Sequence, residues 1–339
     1  MSKNKCALGI EVYDHPAFSA FRQQFQAELK AAAKSAGMHP WATPDEVIAK
    51  LHGSDREKLR ALLGASARRI FEGGIPYNRP GDAIASFASF VMQLGRVPNL
   101  GPNYLDMLFH VKTSNELLDP LRVFVSDKAH VKTFVKAELG DGYTVPTIAL
   151  LETPEEVDAF AYPDDCAIKP TQASGLRILR QGGAAFDLAT VKKWFGENYY
   201  FTSREVNYNQ LKPRIIVEEF IHDFLELKLT CRAGEVKFSK VLSYAGKKKW
   251  INYFDVDWNP LDVTAQYERL ESGVPKHPMY EESVRIARAL SRQFNQVRID
   301  CYLCPDRVYV GEITNCEHSG LVTYQPDSAH GLLSRLFFT

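Results

Sequence analysis

One segment of the 339-residue sequence carries side chains that could bind a metal ion and a phosphate. Residues 297–303 alternate as a strand does, and Arg298 and Asp300 share its polar face. A three-residue Cys-Pro-Asp turn would return the chain with Glu312 across from Arg298 and with Val310 across from Asp300. The three charged side chains would then share a face, and a one-residue change of register would move Glu312 to the other face. Two carboxylates beside an arginine would offer oxygen ligands to Mg²⁺ and a cation to phosphate.

The same residues have a simpler interpretation, which is an exposed cross-strand ion pair between Arg298 and Glu312. A second acid–base pair, Glu226 and Lys228, shares one face of the predicted strand 225–232. Such pairs are common on exposed sheets. From these residues alone, both the metal site and the surface ion pair stay open.

Lys169 precedes a proline and a loop of small and polar residues, 171–175, between two strand-like segments. The N–H groups and hydroxyls of this loop could lie over phosphates as a hairpin, and an ordinary β-turn is the alternative. A P-loop is not supported, because the sequence lacks G-x-x-x-x-G-K-[ST]. A Rossmann site is not supported either, since no G-x-G-x-x-G opens a helix.

The segment 243–250 combines three lysines with Tyr244 and Trp250. Charged runs usually face water, so a solvated loop is the ordinary interpretation. The functional interpretation is a site for an anionic carboxylate or a sugar near the reacting phosphate.

Composition narrows the classes of function. The 41 cationic residues balance 41 anionic ones, which argues against a general nucleic-acid binder. No apolar run approaches the roughly 20 residues needed to cross a bilayer. The six cysteines are scattered, and without a secretory signal they are expected to be reduced thiols in a cytoplasmic protein.

The elements that must position these residues change character along the chain. The first third is predicted to be helical, with an apolar stripe over 18–29 and capping boxes at Thr43 and Ser54. From about residue 120, strands joined mostly by hairpins alternate with short helices. This order favours an α+β fold with antiparallel sheets.

The ordered set of motifs resembles the ATP-grasp superfamily, and most closely its TupA-like (teichuronopeptide-biosynthesis) family. The likeness covers residues 95 to 335, approximately, and leaves the N-terminal helical segment unexplained. The motifs that carry it are Asp127-Lys128, A-I-K-P at 167–170, the small-residue loop, K-P-R-I-I-V-E-E-F at 212–220, E-L-K at 226–228, Y-F-D-V-D-W-N at 253–259, V-R-I-D at 297–300 and G-E-I-T at 311–314.

The resemblance implies an ATP-grasp fold, in which two α+β subdomains with largely antiparallel sheets clamp ATP, and the predicted N-terminal helical segment precedes them in the chain. The expected divisions are a helical region at 1–95, a linking region at 96–165, a subdomain with the lid loop at 166–222 and a subdomain with the metal site at 223–339.

The resemblance also implies roles for individual residues. ATP would be held by two phosphate lysines, a lid loop, an adenine-reading hinge and a ribose-binding acid, which are Lys128 and Lys169; Gln172, Ser174 and Gly175; Glu218, Glu219, Phe220 and Ile221; and Glu226. The implied catalytic residues are Lys228, as a phosphate or substrate contact, and Arg298, which would stabilise the reacting phosphate or the tetrahedral intermediate.

The implied Mg²⁺ ligands are Asp300 and Glu312. Members of the superfamily often have Asn two residues after that glutamate. This chain has Thr314 there and Asn315 next, so either could supply the third ligand. His318, Ser319 and Gly320 resemble the small-residue substrate loop of the superfamily.

The implied function is ATP-dependent carboxylate–amine ligation through an acyl phosphate, with ATP cleaved to ADP and phosphate. The substrates would be a small-molecule or glycan carboxylate and an amine, for example an amino acid joined to a uronic-acid glycan in polysaccharide or natural-product assembly. A kinase on the same fold and a non-catalytic nucleotide-binding protein are the alternatives. No membrane span is expected, and a homodimer is left open.

Overall fold

The computed structural model describes residues 74–98, 101–246 and 248–339, and before residue 74 only positions 27, 30, 31, 34, 37–39, 57, 61 and 64. The predicted helical stripe over 18–29 and the capping boxes at Thr43 and Ser54 lie outside the described residues. The chain divides into two units, which are Met1–Leu117 with Glu317–Thr323, and Leu118–Cys316 with Tyr324–Thr339.

The first unit contains helices α1 (Arg79–Leu94) and α2 (Tyr104–Thr113) and a 3₁₀ turn at Glu317–Gly320. The Asn78 side chain accepts a hydrogen bond from the Gly81 backbone N–H and so caps the start of α1. The helix ends at Gly95, whose φ of 62° lies in the left-handed region that favours glycine.

The second unit contains the strands and the remaining helices. Its helices are α3 (Pro120–Ser126), α4 (His130–Leu139), α5 (Pro154–Ala159), α6 (Leu188–Lys193), α7 (Tyr199–Ser203), α8 (Tyr280–Ser291) and α9 (Ser328–Phe338). Its strands are β1 (Thr147–Leu151), β2 (Cys166–Pro170), β3 (Ile178–Arg180), β4 (Ile215–Glu219), β5 (Leu225–Arg232), β6 (Glu235–Ala245), β7 (Lys248–Phe254), β8 (Pro260–Leu261), β9 (Val297–Leu303) and β10 (Val308–Thr314). Short 3₁₀ turns of this unit lie at Trp194–Gly196 and Val206–Tyr208, and another, Asn115–Leu118, ends the first unit's segment of the chain.

Two antiparallel sheets form the second unit. The four-stranded sheet has the order β1-β4-β2-β3, and the six-stranded sheet has the order β10-β9-β5-β6-β7-β8. The connection from β4 to β5 joins the two sheets. The predicted α+β fold with antiparallel sheets is therefore confirmed.

The core of the six-stranded sheet lies on one face, where apolar side chains alternate along the strands. Leu227 and Leu229 of β5 and Ile299 of β9 are fully buried there, and Leu290 of α8 belongs to the same cluster. Cys301 belongs to this cluster as well, in agreement with its predicted place on the apolar face. The opposite face of the same strands is left for polar side chains.

The hairpin between β9 and β10 corrects the predicted register. Four residues connect the strands, because Leu303 pairs with Val308, and a β-bulge then adds one residue on β10 after Val310. The two changes together shift the register by two residues, so Asp300 lies opposite Glu312 instead of Val310. The predicted three-residue turn is wrong, but a two-residue shift leaves the carboxylates on one face.

In the described parts of the chain, no helix is both long and apolar enough to span a bilayer.

Replacing Leu229 by alanine tests this core. We expect the free energy of unfolding to fall by about 2–5 kcal/mol, because the change leaves a cavity in a central strand. Denaturant unfolding followed by tryptophan fluorescence measures it. The matched control is Leu118→Ala, since Leu118 is 45% exposed and its loss should cost under about 1 kcal/mol. Equal losses for the two variants would contradict the assigned core.

Candidate functional site

A row of polar residues crosses the six-stranded sheet on the face opposite the core. Glu312 of β10 pairs with Asp300 of β9, Asp300 with Lys228 of β5, Lys228 with Lys240 of β6, and Lys240 with Tyr253 of β7. Adjacent strands lie about 4.8 Å apart, so each side chain can reach its neighbour in the row.

Asp300 is the centre of this row. Arg298 donates from Nε to Oδ1 at 2.6 Å and from Nη2 to Oδ2 at 2.7 Å, and the Lys228 ammonium also donates to Oδ2. Burial raises the pKa of the Asp300 carboxyl, but Arg298 and Lys228 together outweigh it and lower the pKa to about 2. The carboxylate is therefore held ionised inside the protein.

The hydroxyl of Thr314 links the arginine to the second carboxylate. Arg298 Nη2 donates to Thr314 Oγ1 at 3.0 Å, and that hydroxyl donates to Glu312 Oε1 at 3.1 Å. Arg298 is buried and forms an ion pair with the buried Asp300, so its environment differs from the exposed cross-strand pair that the sequence also allowed. A buried pair of this kind needs every group to be satisfied.

Asn315, the other predicted candidate for third metal ligand, lies elsewhere. Its amide oxygen accepts from Arg122 at 2.8 Å, and its amide nitrogen donates to Ser126 at 3.1 Å. Thr314 is therefore the one of the two that the structure brings to the carboxylates. Within the described residues, no group of three or more His, Cys, Asp or Glu side chains could hold a metal ion.

A cavity of about 310 Å³ lies beside the polar row, and we call it the hinge cavity. Five predicted site residues line it, which are Lys169, Glu219, Phe220, Ile221 and Glu226. Two more, Tyr244 and Gly246, belong to the segment 243–250 that was a candidate substrate site, and the lining residues without an assignment are Val145, Ala167, Arg177, Leu179, Phe224 and Tyr302. Strand alternation could have found two of them, since Leu179 follows the polar loop on β3 and Tyr302 shares the face of Asp300.

Glu226 bridges the hinge cavity and the polar row. Its Oε1 pairs with Lys228 at 2.9 Å, and its Oε2 accepts from the Tyr244 hydroxyl at 2.7 Å. Burial raises the pKa of Glu226, but Lys228 and the Tyr244 hydroxyl outweigh it, and the net shift is downward. Burial and the neighbouring Arg298 lower the pKa of Lys228. Asp300 and Glu226 raise it by more, and the net shift is upward.

The predicted phosphate lysines belong to a second charged group near Glu218. Lys169 pairs with Glu218 at 2.7 Å, and Lys132 of α4 pairs with the other carboxylate oxygen. Burial raises the pKa of Glu218, and the two lysines outweigh it and lower the pKa. Lys132 was not predicted, although it lies only four residues after Lys128, in the first turn of α4.

Lys128 donates to the carbonyl oxygen of Ala173 in the loop. Burial lowers the pKa of Lys128, Glu312 opposes this shift, and Lys169 adds to it. Lys128 thus lies within electrostatic reach of both charged groups. Among the predicted hinge residues, Glu218 points to the lysines, whereas Glu219 lines the hinge cavity.

The loop 171–175 is anchored at one end and open at the other. Gln172 is fully buried and donates to the Trp194 carbonyl at 2.7 Å, while its oxygen accepts from the Arg214 backbone N–H at 3.2 Å. Ser174 is half-buried, and Gly175 is exposed with a φ of +79° that favours glycine. Gln172 therefore fixes the base of the loop, and Ser174 and Gly175 form its accessible part.

The basic and aromatic segment 243–250 forms the tip of the β6–β7 hairpin. Tyr244 and Gly246 line the hinge cavity, and the Lys248 ammonium lies 5.0 Å from the centre of the Trp250 ring. Lys247 lies outside the described residues. The predicted substrate residues His318, Ser319 and Gly320 belong to the first unit, where His318 and Ser319 have positive φ angles of 45° and 57°.

The donors of the polar row suit a divalent cation and a polyphosphate. Asp300 and Glu312 supply two carboxylates on adjacent strands, and Thr314 adds a hydroxyl, which are the oxygen ligands that Mg²⁺ prefers. Arg298, Lys228, Lys169 and Lys128 supply cations for phosphate oxygens. The hinge cavity adds an apolar wall with a polar edge, as small-molecule sites generally have.

A model of the TupA-like ATPgrasp family matches residues 111–338. No curated protein matches the chain. Three of the similar solved structures are the D-alanine–D-alanine ligase from Helicobacter pylori (14% identity, 59% of this chain and 53% of that chain, TM-score 0.35), the D-alanine–D-alanine ligase from Bacillus anthracis (14% identity, 63% and 66%, TM-score 0.37) and the ATP-grasp ligase PsnB complexed with minimal precursor (12% identity, 68% and 67%, TM-score 0.36). The chain spans about half the length of the Helicobacter pylori enzyme.

The substitution Asp300→Asn tests the electrostatics of the polar row. Because the folded-state pKa of Asp300 (about 2) lies below its usual value of 3.8, its ionised form stabilises the fold above about pH 4. This stabilisation, about 2 kcal/mol, is lost as the pH falls toward 2. In EDTA, we expect the fall in unfolding free energy between pH 4 and 2 to be smaller for Asp300→Asn than for the wild type.

The matched control is Glu235→Gln, which neutralises an exposed carboxylate and should leave the acid-induced fall as it is in the wild type. An equally steep fall in Asp300→Asn would contradict the assigned ion pairs.

Proposed function

The chain belongs to the TupA-like ATP-grasp family, and from that premise we propose that it is an ATP-dependent carboxylate–amine ligase. It would join a carboxylate to an amine through an acyl phosphate and convert ATP to ADP and phosphate. The observation that carries the proposal is that Arg298 and Lys228 both bind Asp300, next to Glu312 and the hinge cavity.

The hinge cavity is the proposed place for the nucleoside. Ala167, Leu179 and Phe220 offer apolar walls for a base, and the backbone of 219–221 offers donors and acceptors for its edge. Glu226 would accept hydrogen bonds from the ribose hydroxyls, since its carboxylate lies in the cavity wall. Lys169 lies in the same wall, and its charge acts on Lys128, the other proposed phosphate lysine.

The proposed Mg²⁺ ligands are Asp300 and Glu312, with the Thr314 hydroxyl beside them. When bound there, the ion would neutralise charge on the phosphates as the terminal bond breaks. Asp300 would then share its oxygens between the metal and its two cationic partners. Those partners keep the carboxylate ionised, which is the state a metal ligand needs.

The reaction needs ATP because a carboxylate is a poor electrophile. A carboxylate oxygen would attack the γ-phosphorus, the bond to the β-phosphate oxygen would break, and ADP would leave. The amine would then attack the acyl carbon, the tetrahedral intermediate would expel phosphate, and the ammonium proton would pass to solvent. Arg298 would stabilise the oxyanion, because its guanidinium is fixed in a site that is largely shielded from water.

The two sheets would have different roles in the reaction. We propose that the four-stranded sheet and loop 171–175 form the half that covers the phosphates, and that the six-stranded sheet forms the half that holds the metal. A closed loop would keep water from the acyl phosphate. The proposed substrates stay a small-molecule or glycan carboxylate and an amine, as in polysaccharide assembly, in a cytoplasmic enzyme.

Replacing both proposed metal ligands, Asp300 and Glu312, by alanine tests the proposal. We expect Asp300→Ala/Glu312→Ala to lose at least about 10³-fold in turnover, because both carboxylate ligands are gone. Phosphate release is measured with amines and carboxylates found by a screen on the wild type. The matched control is Glu235→Ala/Asp306→Ala, which removes two exposed carboxylates and should keep wild-type turnover. Retained activity in the first variant would contradict the metal assignment.

Hydroxylamine separates a ligase from a kinase. With the carboxylate and ATP but no amine, we expect hydroxylamine to trap the acyl phosphate as a hydroxamate, which is measured by its iron complex. A phosphorylated product that is stable to hydroxylamine would instead identify a kinase on the same fold.

Glycine at position 311 is expected to couple the metal site to the hinge cavity. A Cβ on Gly311 would lie 2.7 Å from a ring carbon of Tyr302, which lines the cavity, and Gly311 is the bulge residue that sets Glu312 opposite Asp300. We expect Gly311→Ala to lower kcat/KM for ATP by at least about 10-fold, since the ring or the bulge must move. Steady-state kinetics measures it.

The matched control is Gly196→Ala, because nothing lies within 4 Å of the Cβ built there. Equal kinetics for Gly311→Ala and the wild type would contradict the proposed coupling.

A further inference from the structure

Arg177 is a cation in the wall of the hinge cavity that has no role in the proposed function. It follows the loop 171–175 and lies just before β3. Its neighbours Leu176 and Ile178 pack against the core of the four-stranded sheet, whereas Arg177 and Leu179 line the cavity. Its side chain is exposed, and among residues 74–98, 101–246 and 248–339 none forms an ion pair with it.

Arg177 lies one residue before β3, next to the strand that carries a predicted phosphate lysine. Ala167 pairs with Leu179 and Ile168 with Ile178, and continuing this register by one residue would bring Arg177 opposite Lys169. Both side chains therefore leave the same face of the four-stranded sheet, and both line the hinge cavity.

A second cation, Lys249, approaches the cavity from the six-stranded sheet. It pairs across the β6–β7 hairpin with Tyr244, and its ammonium lies 5.6 Å from the centre of the Tyr244 ring and 4.6 Å from that of Tyr267. Within the described part of the chain, no carboxylate lies within ion-pair distance of Lys249. Its charge therefore rests against aromatic faces, which leaves it able to take an anion.

Tyr244 is a neighbour that the two cations share, since it lines the hinge cavity together with Arg177 and its ring lies 5.6 Å from the Lys249 ammonium. The electrostatic effects agree with this placement. Burial lowers the pKa of Lys249, Glu226 opposes this, and Lys228 and Arg177 lower it further. Arg177 also opposes the upward shift that burial and Glu226 produce in the pKa of the Tyr244 phenol.

Glu226 forms its direct contacts with Lys228 and Tyr244, so in the part of the chain that the structure describes it makes no ion pair with either of these two cations. Arg177 and Lys249 repel each other, and an anion between them would turn that repulsion into two attractions. Because the hinge cavity is the proposed nucleoside site, a phosphate group of the same nucleotide would lie close to its wall.

We propose that Arg177 and Lys249 clamp a phosphate group of the bound nucleotide from opposite sides of the hinge cavity. This inference rests on the proposed function, since it takes a nucleotide as the ligand. Arg177 would bind two phosphate oxygens with its planar guanidinium, and Lys249 would act as a point charge. Because the two residues belong to different sheets, the phosphate would also tie the sheets together.

The clamp differs from the site that the sequence suggested for segment 243–250. The functional interpretation of the sequence was a site for an anionic carboxylate or a sugar near the reacting phosphate, and Tyr244 and Gly246 line the hinge cavity together with Glu226. The clamp would instead assign the hairpin tip to the nucleotide, so substitutions there should change nucleotide affinity.

The test compares charged and uncharged ligands of the same cavity. Dissociation constants of ATP, ADP and adenosine are measured by calorimetry with Mg²⁺ for the full chain and for Arg177→Gln, Lys249→Gln and the double variant. We expect each single variant to bind ATP and ADP about 10-fold more weakly, which is the loss of one hydrogen bond to a charged group. Adenosine, which has no phosphate, should bind each variant as it binds the wild type.

The matched control is Arg288→Gln, because Arg288 is exposed on α8, the helix that packs on the opposite face of the six-stranded sheet. It should bind all three ligands as the wild type does. Unchanged ATP affinity in Arg177→Gln and Lys249→Gln, or an equal loss for ATP and adenosine, would overturn the clamp. If the wild type itself does not bind ATP, the proposed function fails and the clamp fails with it.

Discussion

The carboxylate of Asp300, buried between Arg298 and Lys228, constrains the rest of the site. A charge away from water is tolerated only if its partners are close and well aligned, and both cations donate to it directly. Removing one of the two cations would leave the Asp300 carboxylate with a single partner, and removing Asp300 would leave the two cations facing each other. The six-stranded sheet must therefore hold β5 and β9 in one register, because Lys228 and Asp300 lie directly opposite each other.

The apolar core holds β5 and β9 in that register, and the bulge on β10 positions the second carboxylate. Leu229 and Ile299 fix β5 and β9 from the apolar face, since a slip of one residue would expose them. On β10, the extra residue at Gly311 brings Glu312 opposite Asp300, and the Tyr302 ring lies close above that glycine. The carboxylate pair and the wall of the hinge cavity thus depend on the same short segment.

The sequence predicted β5 and β9 to the residue, because alternation of apolar and polar side chains is strong in both. It also predicted which face of β9 carries charge. It could not predict the turn length or the bulge, since Cys-Pro-Asp suits more than one turn and a bulge depends on the neighbouring strand. Asn315 was one of two candidates for the third metal ligand, and Gln172 was assigned to the lid loop. Only tertiary contacts reveal that the Asn315 amide oxygen accepts from Arg122 and that the Gln172 amide donates to the Trp194 carbonyl. Lys132 was missed for the same reason, because its partner Glu218 is distant in sequence.

The central claim is that the cations and carboxylates of the polar row transfer the terminal phosphate of ATP to a carboxylate. The most direct test is ³¹P NMR of the products formed from Mg-ATP with the carboxylate and amine substrates. The account predicts equal amounts of ADP and inorganic phosphate, and no ATP cleavage when the carboxylate is omitted. AMP and pyrophosphate as products would contradict it.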